Sequence, residues 1–100
     1  MFCTISRFQA APESLEEIAR TFKVQYVPIA SHQPGFKKNY LLTRPDGKFT
    51  IINIWDSKEQ ADEWFKNAEY QNIIFQLRPL LNSAESPEGY KIAARSDSGI

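Results

Sequence analysis

Apolar and polar positions divide the chain into short blocks. Phe2 to Gln9 is rich in β-branched and aromatic residues and stops before Ala10-Ala11-Pro12, which predicts a strand. Leu15, Ile18, Ala19, Phe22, Tyr26 and Ile29 then recur at three- and four-residue steps, the spacing of one helix face. Ser14 with Glu17 three residues on is a capping-box pattern: the hydroxyl accepts from a free backbone N–H and the carboxylate reaches back. Pro12 is an alternative mark of the helix start. Pro28 donates no N–H and its ring meets the carbonyl of Val24, so a kink or an end is expected near Tyr26–Val27. His32-Gln33-Pro34-Gly35 breaks the chain.

Two strand-like runs, 36–43 and 48–55, flank Arg44-Pro45-Asp46-Gly47, and an Asp-Gly pair tolerates the positive φ of a hairpin turn. Asp56-Ser57 with Glu59-Gln60 offers two overlapping caps for a second helix, whose apolar face is Ala61, Trp64, Phe65 and Ala68. Tyr70, Ile73, Ile74, Leu77, Leu80 and Leu81 mark a third helical run limited by Pro79. Asn82 to Gly89 reads as a loop, Tyr90 to Arg95 as a last strand, and Ser96 to Ile100 as a frayed tail. The order strand-helix-strand-strand-helix-strand is that of the α+β ferredoxin-like fold. It implies a four-stranded antiparallel sheet with the helices on one face, in a single domain over residues 1–95.

The strand 49–55 does not alternate as a half-solvated strand does. One parity carries Phe49, Ile51, Asn53 and Trp55, the other Thr50, Ile52 and Ile54. The first strand repeats this, with Phe2, Thr4, Ser6 and Phe8 against Cys3, Ile5 and Arg7. Helices cover one face only. A second copy of the chain is the simplest cover for the other, because symmetric dimers are the commonest oligomers. Burying about 1,000 Å² of apolar area would contribute on the order of 25 kcal/mol before entropic costs. The competing arrangement is a monomer in which Thr4, Ser6 and Thr50 form a semi-polar wet face.

The chain has 100 residues, 12 basic and 12 acidic, with both signs interspersed, so it lacks the basic face that nucleic acid requires. No apolar run approaches the ~18–20 residues of a membrane span. No basic segment followed by an apolar one opens the chain, so no signal peptide is expected. The lone cysteine, Cys3, reads as a small core residue and suggests a reducing, cytoplasmic setting. With one His and one Cys far apart, no metal-site spacing exists. His32 lies in a polar stretch and reads as a solvated loop residue. Glu16-Glu17 and Asp62-Glu63 fall on solvent faces or at helix starts, where acids favour the dipole.

Pro34-Gly35-Phe36, the hairpin, Ile52-Asn53-Ile54-Trp55-Asp56-Ser57, the helix with Ala61 and Trp64, and Leu80-Leu81 together resemble the antibiotic biosynthesis monooxygenase-like proteins. The resemblance spans about residues 2–95. It implies a ferredoxin-like protomer whose sheet packs on its twin in a dimeric α/β barrel, with a cleft between sheet and helices. It also implies cofactor-independent oxygenation of a flat phenolic or quinol molecule by O2, or else small-molecule binding without turnover. Heme-degrading relatives share the tryptophan that stands here as Trp64. They carry an Asn on the first strand and a heme-ligating His ten residues past the Trp, where this chain holds Arg7 and Ile74. Ile has no lone pair for iron, so no cofactor is expected.

Five residues are candidates for substrate contact. Trp64 is either a cleft wall that stacks on a flat ligand or a core residue. Phe22 and Tyr26 lie on the sheet-facing side of the first helix, where a phenol can reach a quinol oxygen or serve as core. Arg7 interrupts an apolar parity and either holds an anionic oxygen or pairs with a carboxylate. Asn53, an amide in the most apolar strand, needs partners, from a ligand or across a dimer. Asn39 faces Asn53 across the predicted hairpin and shares its alternatives. No catalytic residue is assigned.

Overall fold

A computed structural model describes residues 1–96; the expected tail lies, beyond Ser96, outside the described residues. Strand β1 (Phe2–Ala10) lies at the centre of an antiparallel sheet. It pairs with β3 (Lys48–Trp55) on one side, and β3 pairs in turn with β2 (Phe36–Thr43). The hairpin forms over the two predicted ranges, with Gly47 at φ +95° and the Asp46 carboxylate accepting from the Lys48 amide. On its other side β1 pairs with β4 (Leu81–Ala84) and β5 (Glu88–Lys91). The sheet is ferredoxin-like, in the order β2-β3-β1-β4 with β5 beside β1.

The edge beyond β1 corrects the sequence reading. The expected loop Asn82–Gly89 is mostly strand, and Tyr90–Arg95 keeps its ladder only as far as Lys91. The unpaired edge of β1 recruits this polar segment whatever its side chains. The Glu85 amide still donates to the Arg7 carbonyl, and the ladder then breaks around Pro87, which has no N–H to give.

The first helix is continuous but composite. α1 (Leu15–Thr21) leads into a π-helical turn (Phe22–Tyr26) and then α2 (Val27–Ser31). The Val27 amide donates to the carbonyl of Phe22, five residues back. The wide turn accommodates Pro28, which cannot join an i to i−4 ladder. The helix therefore runs on to Ser31 instead of ending near Tyr26–Val27. A wider turn also keeps residues four apart in line, so Ile18, Phe22, Tyr26 and Ala30 are the buried positions. The Ser14–Glu17 capping box does not form. Ser14 is already helical (φ −87°, ψ −11°) in the turn begun by Pro12, and an N-cap hydroxyl needs an extended backbone to reach back.

α3 (Lys58–Lys66) is capped by Ser57, whose Oγ accepts from the Gln60 amide at 3.3 Å and donates to Gln60 Oε1. α4 (Ala68–Leu77) is capped by Asn67, which accepts from the amides of Glu69 and Tyr70. The core forms where Ile18, Phe22, Tyr26, Ala61, Trp64, Ile73 and Leu77 meet Phe49, Ile51 and Trp55. The outer face of the sheet is left uncovered by the helices. It carries half-buried Cys3, Ile5, Ile52 and Ile54, with Tyr40, Leu42 and Tyr90 about half exposed. Cys3 belongs to this face, so it is not the core residue expected: its parity on β1 is that of Ile5 and Arg7. No helix among the described residues is long and apolar enough to cross a membrane.

Candidate functional site

Strand register builds a polar row into the core. On β3 the inward parity ends in Asn53 and Trp55, and Thr4 of β1 and Asn39 of β2 pair with Asn53 from either side. Thr4 and Asn53 are only 3% and 1% exposed. From above, the π turn lowers Tyr26 onto this row and α3 lowers Trp64. The Tyr26 hydroxyl oxygen accepts from Asn53 Nδ2 at 2.8 Å and from Trp64 Nε1 at 3.0 Å. Both phenol lone pairs are then occupied, and its O–H proton remains to be donated.

Burial pushes the Tyr26 pKa up to about 12, against the smaller lowering by its bonds to Asn53 and Trp64. The phenol is thus a neutral, polarised donor at ordinary pH. Four buried polar atoms on this face of the sheet lack a protein partner: Asn53 Oδ1, Thr4 Oγ1 and Asn39 Nδ2 in its row, and Trp55 Nε1 two residues along β3. Buried polar atoms are normally satisfied, and each one left unmade costs about 1–3 kcal/mol, so such a cluster marks a place for water or a ligand.

Aromatic rings enclose the hydroxyl. Phe22 stacks on Tyr26 with centroids 4.8 Å apart, and Trp64 meets it edge-on at 5.4 Å. Tyr70 packs on Trp64 at 5.2 Å, and its pKa is raised by burial and by Tyr26. The Asn67 cap aims Tyr70 here, because it starts α4 three residues earlier.

Phe22, Tyr26, Asn53 and Trp64 are therefore brought together, and Arg7 is not. Arg7 pairs with Thr50 on the opposite parity, on the outer face, where its guanidinium bonds the Glu88 carboxylate. The Tyr90 hydroxyl donates to the same carboxylate. The site also contains Trp55 and Tyr70, which the sequence marks only as strand and helix-face residues, and Thr4, which is buried here and not on the wet face of the competing monomer arrangement. Strand parity was the available signal for Trp55, which shares a strand face with Asn53; Thr4 is brought there by the register between β1 and β3. His32 is exposed at the end of α2, with Nδ1 2.6 Å from the Pro28 carbonyl oxygen.

Two grooves approach this interior. One, of about 410 Å³, runs between β2 and the first helix and is lined by Phe22, Val27, Asn39 and Leu41. The other, of about 300 Å³, lies over Trp64 between Gln33, Gln60 and Asn67. Beside it, Gly35 (φ +79°) packs directly on the Gln60 side-chain amide, in a conformation that favours glycine. A third hollow of about 480 Å³ lies on the outer face among Arg7, Arg44, Lys48 and Glu85. The described residues include no group of three or more metal-ligating side chains.

The architecture is that of a ferredoxin-like α+β protein with an aromatic, hydrogen-bonding interior between helices and sheet. Residues 1–74 match the family model of the antibiotic biosynthesis monooxygenases, and the chain belongs to that family. Among solved structures it is similar to SnoaB, a cofactor-independent oxygenase from Streptomyces nogalater, with 22% identity, 99% of this chain and 97% of that one covered, and a TM-score of 0.71. A conserved protein from Methanosarcina mazei superposes with a TM-score of 0.78 at 15% identity, covering 90% of each chain. A Nitrosomonas europaea protein of unknown function gives 0.79 at 15% identity, covering 95% of this chain and 91% of that one. At such identities these likenesses carry the fold alone. No curated protein matches the sequence.

Proposed function

We propose that the protein is a cofactor-independent monooxygenase that oxidises a flat phenolic or quinol molecule between its sheet and helices, working as a homodimer. The observation that carries this reading is the Tyr26 hydroxyl, fixed by Asn53 and Trp64 with its proton left to give, among buried polar atoms that lack partners. In such chemistry the substrate's own anion reduces O2. A phenol and O2 yield a quinone and water: one oxygen atom replaces a ring hydrogen and the other leaves as water, with the substrate supplying all four electrons. The protein's part is orientation, exclusion of water and stabilisation of charge on the substrate oxygen. Phe22 and Trp64 position the ring. Tyr26 donates to the oxygen that carries negative charge, where a pre-oriented donor in a dry site acts most strongly. Asn53 Oδ1 accepts from a substrate hydroxyl.

The homodimer reading rests on the outer face, where Ile5, Ile52, Ile54, Tyr40 and Tyr90 form an apolar surface that one chain leaves open. The single cysteine supports a reducing, cytoplasmic setting. Oxygen uptake with dihydroxyanthracene-type and quinol substrates tests the activity; consumption above the blank is expected, and rates equal to the blank overturn it.

A second reading, a dimeric small-molecule-binding or regulatory barrel without turnover, is favoured by one observation. The titratable groups that enter the site are Tyr26 and Tyr70, both held protonated by burial, so neither is a base at neutral pH. A rise in melting temperature with a phenolic ligand, without product, would select it.

A further inference from the structure

We infer that the groove between β2 and the π turn is where the substrate ring docks, with Asn39 holding one oxygen at the inner end and Lys23 facing a second, anionic oxygen at the mouth. This rests on the phenol or quinol reading and deepens it. The groove's volume of about 410 Å³ falls in the ~300–1,000 Å³ range of small-molecule sites. Its walls are apolar: Ala19, Phe22 and Val27 from the helix, Leu41 from the strand. A flat ring fits such walls.

Lys23, Asn39, Tyr40 and Thr43 break the apolar lining, and two of them, Asn39 and Lys23, are free to meet a ligand's oxygens. Asn39 Nδ2 is buried and has no hydrogen-bond partner, so an oxygen from a ligand supplies what the fold withholds. Asn39 is also the direct ladder partner of Asn53, which places the inner end of the groove beside the residue that grips Tyr26. At the mouth, the exposed Lys23 makes no ion pair among the described residues. Phe22 both lines the groove and stacks on Tyr26, so a single ring separates a docked ligand from the buried hydroxyl. The pattern selects a ring with two oxygens, one accepting and one anionic, over a monophenol.

Naphthoquinol, titrated anaerobically and followed by quenching of tryptophan fluorescence, tests this without turnover. Asn39→Leu keeps the side-chain size and removes the donor. Lys23→Glu reverses the rim charge at an exposed position. Ala19→Trp fills the groove, and circular dichroism checks that each variant is folded. The dissociation constant is expected to rise roughly five- to tenfold in Asn39→Leu, the worth of one hydrogen bond. It is expected to rise about two- to fourfold in Lys23→Glu, and naphthol is expected to bind more weakly than naphthoquinol. Unchanged binding in both Asn39→Leu and Lys23→Glu, or no quenching of the wild type, overturns the groove. The two readings fail separately. Groove-dependent binding without oxygen uptake removes the monooxygenase and keeps the groove, whereas oxygen uptake that ignores these substitutions does the reverse.

Discussion

Replacing Tyr26 by Phe removes one oxygen atom and disturbs two buried donors. Asn53 Nδ2 and Trp64 Nε1 both end on that oxygen, at 2.8 Å and 3.0 Å. Neither donor can turn to water, because Asn53 and Trp64 are fully enclosed. Each buried group left without a partner costs about 1–3 kcal/mol, and a little returns because Phe is easier to bury than Tyr. The sum is about 2–4 kcal/mol of stability, a large share of the 5–15 kcal/mol typical of a domain. For a chain of this size that is a fall in melting temperature on the order of 10–25 °C. Urea and thermal unfolding followed by tryptophan fluorescence measure it, with the exposed Tyr40→Phe as a control expected to change stability by less than about 0.5 kcal/mol. Oxygen uptake is expected to fall about 100-fold or more, the usual effect of losing one donor to a developing oxyanion. A Tyr26→Phe protein within about 0.5 kcal/mol of wild type would show that the hydroxyl does not hold Asn53 and Trp64. A strongly destabilised variant with unchanged turnover would make the hydroxyl structural only.

Alkali provides a second probe of the same group. The Tyr26 pKa is raised from 10.0 to about 12 in the folded protein, so the folded state holds its proton more tightly. The resulting stability is fully present below about pH 10 and is lost as pH rises through about 12, some 2–3 kcal/mol in all. Tyrosinate absorbance should accordingly show a late component that coincides with unfolding, and complete ionisation in the folded state would contradict it. Gly47→Ala should cost at least about 1–3 kcal/mol by urea unfolding, because φ is +95° and a Cβ would run into the Ala10 carbonyl oxygen. Ile54→Asp places a charge on the uncovered apolar face, so sedimentation should show a wild-type dimer and a variant monomer that is still folded. Arg7→Ala removes a half-exposed ion pair worth about 0–1 kcal/mol. Phenol binding should stay within about twofold of wild type, and a larger loss would restore Arg7 to the site.

The parts of the fold that were legible rest on local chemistry. The hairpin could be read because Asp46-Gly47 supplies a turn that few other residue pairs can make. The helices could be read from their apolar periodicity, and Ser57 as a cap from its spacing to Gln60. What stayed hidden depends on partners distant in the chain. The strand residues within Asn82–Gly89 pair because β1 offers them an edge, and their own side chains give no strand signal. The π turn is a compromise between Pro28 and the demand that Phe22, Tyr26 and Ala30 share one buried face. Proline announces a conflict without saying how it is resolved. Arg7 was legible in part: strand alternation already set it apart from Thr4 and Ser6, and only the register shows which parity faces the helices.

The distribution of polarity across the sheet departs on both faces from what solvent would select in an isolated chain. The outer face presents Ile5, Ile52, Ile54, Tyr40 and Leu42, while the enclosed face buries Thr4, Ser6 and Asn53. A core chosen for stability alone would exchange Thr4 and Asn53 for apolar residues of similar size, since half-satisfied buried polar groups are costlier than an apolar filling. A monomer chosen for solubility would place charges where Ile52 and Ile54 stand. The two departures point to different partners. An apolar outer face is relieved by another protein surface, and the same face of a second copy is the self-complementary choice. A polar interior walled by Phe22, Tyr26, Trp64 and Tyr70 is relieved by a small flat molecule bearing oxygens. Neither partner substitutes for the other, so blocking self-association and removing the Tyr26 hydroxyl should produce separable defects, the first in assembly and the second in turnover.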